Sequence, residues 1–249
     1  MTVLPLLGPP PKILSITLSD SDNASIGQLF NEQLGLRLGS DLLTTRLLDR
    51  RSEQDDYQAV LRDAAGADVI VVPTYLYVRS WSGRISLTDE HQAFLNDLTA
   101  TGKPVVVISF GNPYMTVGLD RQPAAYIAAY GGADASQIAA AQALFGESGF
   151  HGRLPVTIPD LYAFGEGIQM NQVALRRGLP EEAGMNSSTL ARIDSLIYAS
   201  TEQRVFPGAA LAVGRGDVLV KLDGYGYYTY DTATPVTPWS RFDLASLTK

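Results

Sequence analysis

The last eight residues, FDLASLTK (242–249), set a serine and a lysine three positions apart. Residues at that spacing share one face of a helix, so the Lys249 ammonium can reach the Ser246 hydroxyl. A serine hydroxyl is a weak nucleophile until a base takes its proton, and a desolvated lysine amine can be that base. The first turn of a helix adds free N–H groups and a dipole that favours negative charge developing on a substrate. The chemistry this pair suits is acyl transfer, with Ser246 attacking and Lys249 relaying the proton. By itself the motif is weak, because ordinary residue frequencies give about one S-x-x-K in a chain of this length.

The other reactive groups are dispersed. Asp120, Asp134, Glu147 and Glu166 fall near expected turns. Glycoside hydrolysis needs two carboxyls roughly 5 to 9 Å apart, but helix capping and solvated surface explain these four more simply. His91 lies in a helix opening and His151 in the turn SGFHGR. Neither belongs to an H-E-x-x-H or similar motif, so both read as surface residues rather than metal ligands. The loop YLYVRSWSGR (75–84) follows an expected strand, on the edge where open α/β sheets bind ligands. Tyr77, Trp81 and the arginines, Arg79 foremost, could form a stacking platform for a sugar. Burial of Trp81 against a neighbouring domain is the competing reading.

Composition narrows the classes. The chain has 249 residues, 45% hydrophobic and 18% charged, which is enough for one large domain or two modest ones. Its formal charge of −7 argues against a nucleic-acid or anionic-membrane surface, since both need clustered Lys and Arg. There are no cysteines, which excludes disulfides, thiolate catalysis and cysteine-bound metal. No apolar run approaches the roughly 20 residues of a membrane helix. No G-x-G-x-x-G or phosphate-loop lysine follows the first strand, so no nucleotide, other cofactor or metal is expected.

The elements that must position these groups fall into two styles. Residues 12–172 alternate short β-branched runs with helical stretches: strands at 12–19, 68–76, 104–111 and 124–130, helices at 25–38, 53–66, 88–101 and 134–146. The apolar runs DVIVVPTYL and PVVVISFG suit strands covered on both faces. Such alternation predicts a doubly wound, mostly parallel α/β sheet in three layers. In FGNPY, Asn112 and Pro113 suit a cap and first helical residue, turning strand into helix. Gly131 and Gly132 suit a tight turn ahead of the next helix. Residues 173–249 differ: one amphipathic helix (189–204), then two alternating strands across Arg215-Gly216-Asp217, an antiparallel hairpin. The boundary is expected near residue 172.

Two stretches resemble known families. The strings VVVISFGNPY, AAYIAAYGGADASQIAAAQALFGESGFHGRLPVTIP and FGEGI resemble the C-terminal α/β domain of glycoside hydrolase family 3, nearest its β-N-acetylhexosaminidase branch, across residues 3–170. The helix GLPEEAGMNSSTLARIDSLI, the hairpin FPGAALAV…GDVLVKLDGYG and FDLASLTK, in that order, resemble the start of the serine β-lactamase and penicillin-binding-protein-like family, especially class C and esterase-like members. The second resemblance implies that Ser246 is the acyl-forming nucleophile and Lys249 its base or relay. A later Tyr- or Ser-containing motif and a K-T-G or H-x-G strand would belong to it. Ser21-Asp22-Asn23 is not that motif: it precedes Ser246 and falls in the first strand-to-helix loop, where capping explains it.

In family 3 the carboxylate nucleophile lies in an N-terminal (β/α)8 barrel, and the hexosaminidase branch keeps its acid/base histidine there too. The resemblance therefore implies that this chain is a fragment of a two-activity hydrolase, inert as it stands. Its expected partners are a (β/α)8 barrel and a carbohydrate or peptidoglycan-like substrate. A noncatalytic support or sugar-binding domain is the alternative. The start MTVLPLLGPPPK lacks the charged opening and cleavage site of a signal peptide, while the resemblance points to a parent in a bacterial periplasm or cell envelope. Residues 227–249 are expected to be poorly fixed, because so short a helix has nothing to bury it.

Overall fold

The computed structural model describes residues 3–77, 87–231 and 233–245. The chain divides into two compact units, Met1–Ala174 and Leu175–Lys249.

The first unit is built on four fully or largely buried runs. Strand β1 (Ile13–Ser19) and strand β3 (Val69–Tyr75) are buried at every position, and so is β4 (Val105–Ser109). β5 (Ala125–Ala128) is half-buried. With β2 (Leu43–Leu48) they form a five-stranded parallel sheet in the order β2-β1-β3-β4-β5. β2 has no counterpart among the sequence-predicted strands. It is a sheet edge whose Thr44, Thr45 and Arg46 are exposed, so it lacks the continuous apolar run that marks its neighbours.

Helices α1 (Gln28–Leu38) and α4 (Asp134–Leu144) cover one face, α2 (Gln54–Ala64) and α3 (Asp89–Ala100) the other. Phe30, Leu34 and Leu38 of α1 join Val71, Ile108 and Leu144 in one core cluster. Tyr57 and Val60 of α2 join Phe94, Leu95 and Leu98 of α3 and the opposite strand faces in the other. This is the three-layer α/β fold expected. Two helix starts are fixed by local chemistry. The Thr88 side chain accepts a hydrogen bond from the His91 N–H at the opening of α3, and Glu53 with Asp56 makes a reciprocal capping box on α2. α1 begins at Gln28 rather than 25 because Gly27 sits at φ 75°, a left-handed turn that no helix continues through.

Pro73 sits inside a central strand, a position its missing N–H disfavours. The β1–β3 ladder is interrupted there: Ser15 pairs with Val71 and Leu18 with Thr74, while Ile16 and Thr17 are skipped.

In the second unit, β6 (Arg176–Arg177), β7 (Gly208–Arg215) and β8 (Val218–Gly226) form a sheet in the order β6-β8-β7. β7 and β8 are the antiparallel hairpin; β6 pairs with β8 in parallel. Helix α5 (Ser187–Glu202) starts at Asn186, whose side chain accepts from the Thr189 N–H. It lies on β8 through Tyr198, whose ring meets Tyr225 edge-on at 5.4 Å, and through Asp194. Part of the segment expected to be loose is tied down. Tyr227 bridges Pro235, the Tyr228 N–H donates to Thr234, and Val236 is buried beside Gly208 and Gly224.

Candidate functional site

Strand order reverses between β1 and β3, so the crevice beyond their carboxyl ends is where this topology leaves room for a ligand. Residues after β1, β3, β4 and β5 line it. After β1 the chain turns by a relay of side chains. Ser19 Oγ accepts from the Ser21 N–H, Ser21 Oγ from the Asn23 N–H, and Asn23 Oδ1 from the Ser25 N–H. Ser21-Asp22-Asn23 thus builds a turn rather than capping α1, whose N-cap is Gly27.

After β3, three glycines give way to two tyrosines. A Cβ on Gly27 would stand 2.8 Å from Thr17 Oγ1 and 3.2 Å from the Tyr75 ring. One on Gly132 would stand 2.8 Å from the Tyr77 hydroxyl, and one on Gly111 2.5 Å from the Leu76 carbonyl oxygen. Only glycine lets the ends of β4 and β5 come this close. Tyr75 is stacked on Phe110 with ring centres 4.9 Å apart, and its hydroxyl donates to Gln137 Oε1 at 2.8 Å. Gln137 also accepts from the Phe30 N–H and donates to the Gly132 carbonyl at 2.8 Å, tying α1, β3 and α4 together. Burial raises the Tyr75 phenol well above its ordinary value. Tyr77, about half exposed, faces solvent; burial of its remainder and the charge of Asp20 push its phenol up.

His91 stands in the first turn of α3, on the same edge of the sheet. It is buried rather than on the surface, and its Nδ1 has no hydrogen-bond partner among the described residues. Burial lowers its pKa below the ordinary 6.5, partly opposed by the charges of Glu90 and Asp20.

The four carboxylates stand apart from one another. Glu147 is not solvated surface: Arg37 grips it with two hydrogen bonds, at 2.9 and 2.6 Å, and both side chains are 3% exposed. The Arg37 guanidinium also lies over the Phe145 ring. Asp120 accepts from the Asn96 side-chain amide, Asp134 stands in the first turn of α4 without a capping hydrogen bond, and Glu166 accepts from the Ala163 N–H, the turn chemistry expected. Among the described residues no group of three His, Cys, Asp or Glu could hold a metal ion. Asn112 Oδ1 accepts from the Tyr114 N–H, but residues 113–118 are turns rather than the expected helix.

Arg79, Trp81, Ser246 and Lys249 all lie outside the described residues. What the sequence reading missed is the Tyr75–Gln137 network. Its signal was present: Gln137 shares the buried face of α4 with Ala140, Ala141 and Leu144, a polar residue at an apolar position.

A parallel sheet in this order, with helices on both faces, defines a three-layer α/β domain. The profile of the glycosyl hydrolase family 3 C-terminal domain matches residues 3–207, and the chain belongs to that family. Among solved structures, a fungal multi-domain GH3 β-N-acetylglucosaminidase with a GCN5-related glucosamine N-acetyltransferase region superposes with a TM-score of 0.51 at 17% identity. That match covers 66% of this chain and 18% of that one. The β-glucosidase EmGH1 of Erythrobacter marinus follows at 0.46 and 16%, covering 67% and 32%. A GH3 β-N-acetylglucosaminidase of Paenibacillus sp. follows at 0.41 and 14%, covering 55% and 25%. The chain therefore spans a third or less of these proteins. Among curated proteins no sequence matches it. No helix of the described residues is long and apolar enough to cross a membrane.

Proposed function

We infer that this chain serves as the C-terminal α/β domain of a β-N-acetylhexosaminidase-like glycosidase, acting on carbohydrate or peptidoglycan-like substrates and not catalytic by itself. The observation that carries the reading is the family profile running through the whole first unit. The separate engagement of Asp120, Glu147 and Glu166 supports the noncatalytic part, since none of these three is left as one half of a reacting pair. A (β/α)8 barrel would supply the nucleophile. The loop 150–170 offers it a surface. It is fixed by paired backbone bonds between Phe150 and Met170, by the Leu154 N–H donating to the Glu166 carbonyl and by the Gly165 N–H donating to the Leu154 carbonyl, and it leaves Phe164 and Ile168 exposed.

The second unit, on this reading, begins a β-lactamase-like serine acyl hydrolase in which Ser246 is the nucleophile and Lys249 its base. The helix–hairpin order supports it. The test is turnover by the purified chain of 4-nitrophenyl N-acetyl-β-glucosaminide and of a chromogenic cephalosporin. Neither should be hydrolysed, and adding a family 3 barrel should restore only the first. Hydrolysis by the chain alone overturns the assignment.

A second reading, a sugar-binding role for the switch-point crevice, is favoured by half-exposed Tyr77 at its mouth. Trp81 and Trp239 are the only tryptophans. In a Trp239→Phe background, N-acetylglucosamine should change the fluorescence if Arg79 and Trp81 contact it; an unchanged spectrum removes this reading.

A further inference from the structure

We propose that the connection from β4 to β5 encloses a binding site for one ordered water molecule, held between the Thr116 hydroxyl and the Gln122 side-chain carbonyl. Parallel strands must be joined by a long crossover, usually a helix, and a helix satisfies its own backbone groups. The crossovers from β1 to β2, β2 to β3 and β3 to β4 carry α1, α2 and α3. Residues 110–124, between β4 and β5, carry no helix and run through turns and bends. A covered segment of that kind has to find partners for its polar groups elsewhere.

Against α3 it finds them. Gln92 Nε2 donates to the Gly118 carbonyl, and Asn96 Nδ2 donates to Asp120 Oδ2 at 3.1 Å. The Asp120 N–H donates to Asn96 Oδ1 at 3.0 Å, and Arg121 donates to the Thr99 carbonyl. Two buried side-chain atoms of the same segment stay unmatched: Thr116 Oγ1 and Gln122 Oε1 have no hydrogen-bond partner among the described residues. Thr116 is 0% exposed, so bulk solvent cannot serve its hydroxyl. Leaving such atoms dry is costly, and internal waters characteristically occupy these positions.

Turning the Gln122 amide over gives no relief. Its Nε2 donates to the Thr116 carbonyl at 3.1 Å, and the flipped amide would set two oxygens against each other. The same bond brings the unmatched atoms together. Oε1 shares a carbon with the nitrogen that binds the Thr116 carbonyl, and Oγ1 belongs to that same residue. The two are nevertheless too far apart to bond directly. Water suits the gap, because it can donate to Oε1 while accepting from the Thr116 O–H. The site also bears on the core. Met115, beside Thr116, is buried in the cluster with Leu76 and Leu95, and Leu119 packs against that cluster. A water at Thr116 fastens the segment that carries both.

Oxygen-17 magnetic relaxation dispersion on the full chain counts waters held for longer than the protein takes to tumble. Thr116→Val, close to threonine in shape but without the hydroxyl, should lower the dispersion amplitude by the share of one water. Thr116→Ser, which keeps the hydroxyl, should leave it unchanged. Urea unfolding gives a separate readout. Both side chains act through one water, so Thr116→Val with Gln122→Leu should shift the midpoint by less than the two single shifts added together. An amplitude that Thr116→Val leaves intact overturns the proposal. So does an equal loss in the valine and serine variants, or midpoint shifts that simply add.

Discussion

The two sheets solve the same problem to different extents. In the first unit, β1, β3 and β4 are buried at every residue, and helices close both faces. In the second, α5 contains no fully buried residue, and Leu196, Tyr198 and Val205 stay exposed. Their ion pairs differ in the same way. Arg37–Glu147 is 3% exposed on both sides, whereas Lys221 bridges Asp194 and Asp223 with the latter half exposed. Burial works against the Lys221 charge, but its two carboxylate partners outweigh it and raise its pKa. Tyr225, which donates to the same Asp194, is pushed up to about 12 by burial and then by that bond. Side-chain identity thus means something different in each unit: in a closed core a polar group must be matched, while in an open layer water shares the work.

Substitutions sharpen that contrast. The largest effect belongs to Glu147→Leu, which strands the Arg37 charge in the core and should cost about 3–5 kcal/mol in denaturant unfolding. Adding Arg37→Met to it should recover most of the loss. If the single variant unfolds at the parent's midpoint, the pair is not buried as described. Next, Leu95→Ala in the first core should cost roughly 2–5 kcal/mol, against less than about 0.5 kcal/mol for Leu196→Ala on α5. Equal losses would mean that α5 is covered in solution.

Glycines make a third contrast. Gly27→Ala combines a φ of 75° with a Cβ 2.8 Å from Thr17 Oγ1 and should cost about 1–3 kcal/mol. Gly216→Ala, at φ 64° with open space around it, should cost only about 1 kcal/mol of backbone strain.

The pH response is smaller and belongs to the first unit. The folded pKa of His91 lies below the ordinary 6.5, so the unfolded chain binds the proton first on acidification. Its contribution is complete above pH 6.5 and declines as pH falls through the lowered value. His91→Phe should flatten the unfolding midpoint between pH 7 and pH 5, relative to the parent. Smallest of all, Lys221→Met should shift stability by roughly 0.2–1 kcal/mol, and added salt should shrink the difference.

Much of the first unit could be read from its residues. Apolar runs identified β3 and β4, KILSITLS read as a first buried strand, Thr88 marked the start of α3, and the alternation of elements gave the parallel sheet. β2 was invisible because an edge strand with one solvated face carries no such run. Glu147 and His91 were misread for one reason: each is polar, and only tertiary packing surrounds it. The pairing of Glu147 with Arg37 joins positions 110 residues apart, a separation no local pattern reports. The chemistry suggested by Ser246 with Lys249, and by Arg79 with Trp81, rests on sequence spacing, with both pairs outside the described residues.

Arg176–Arg177 is only two residues long, yet it laces the beginning of the second unit to its far strand. Arg176 pairs with Val218 and Arg177 with Leu219, and Gly178 leaves the hollow that the Val218 side chain fills. A protease that nicks the exposed stretch between this strand and α5 would sever the backbone without parting the pieces. Trimming the chain back past residue 178 would uncover Val218 and expose a new raw margin on β8. The safe place to divide this polypeptide is therefore ahead of the arginines, not at the helix that follows them.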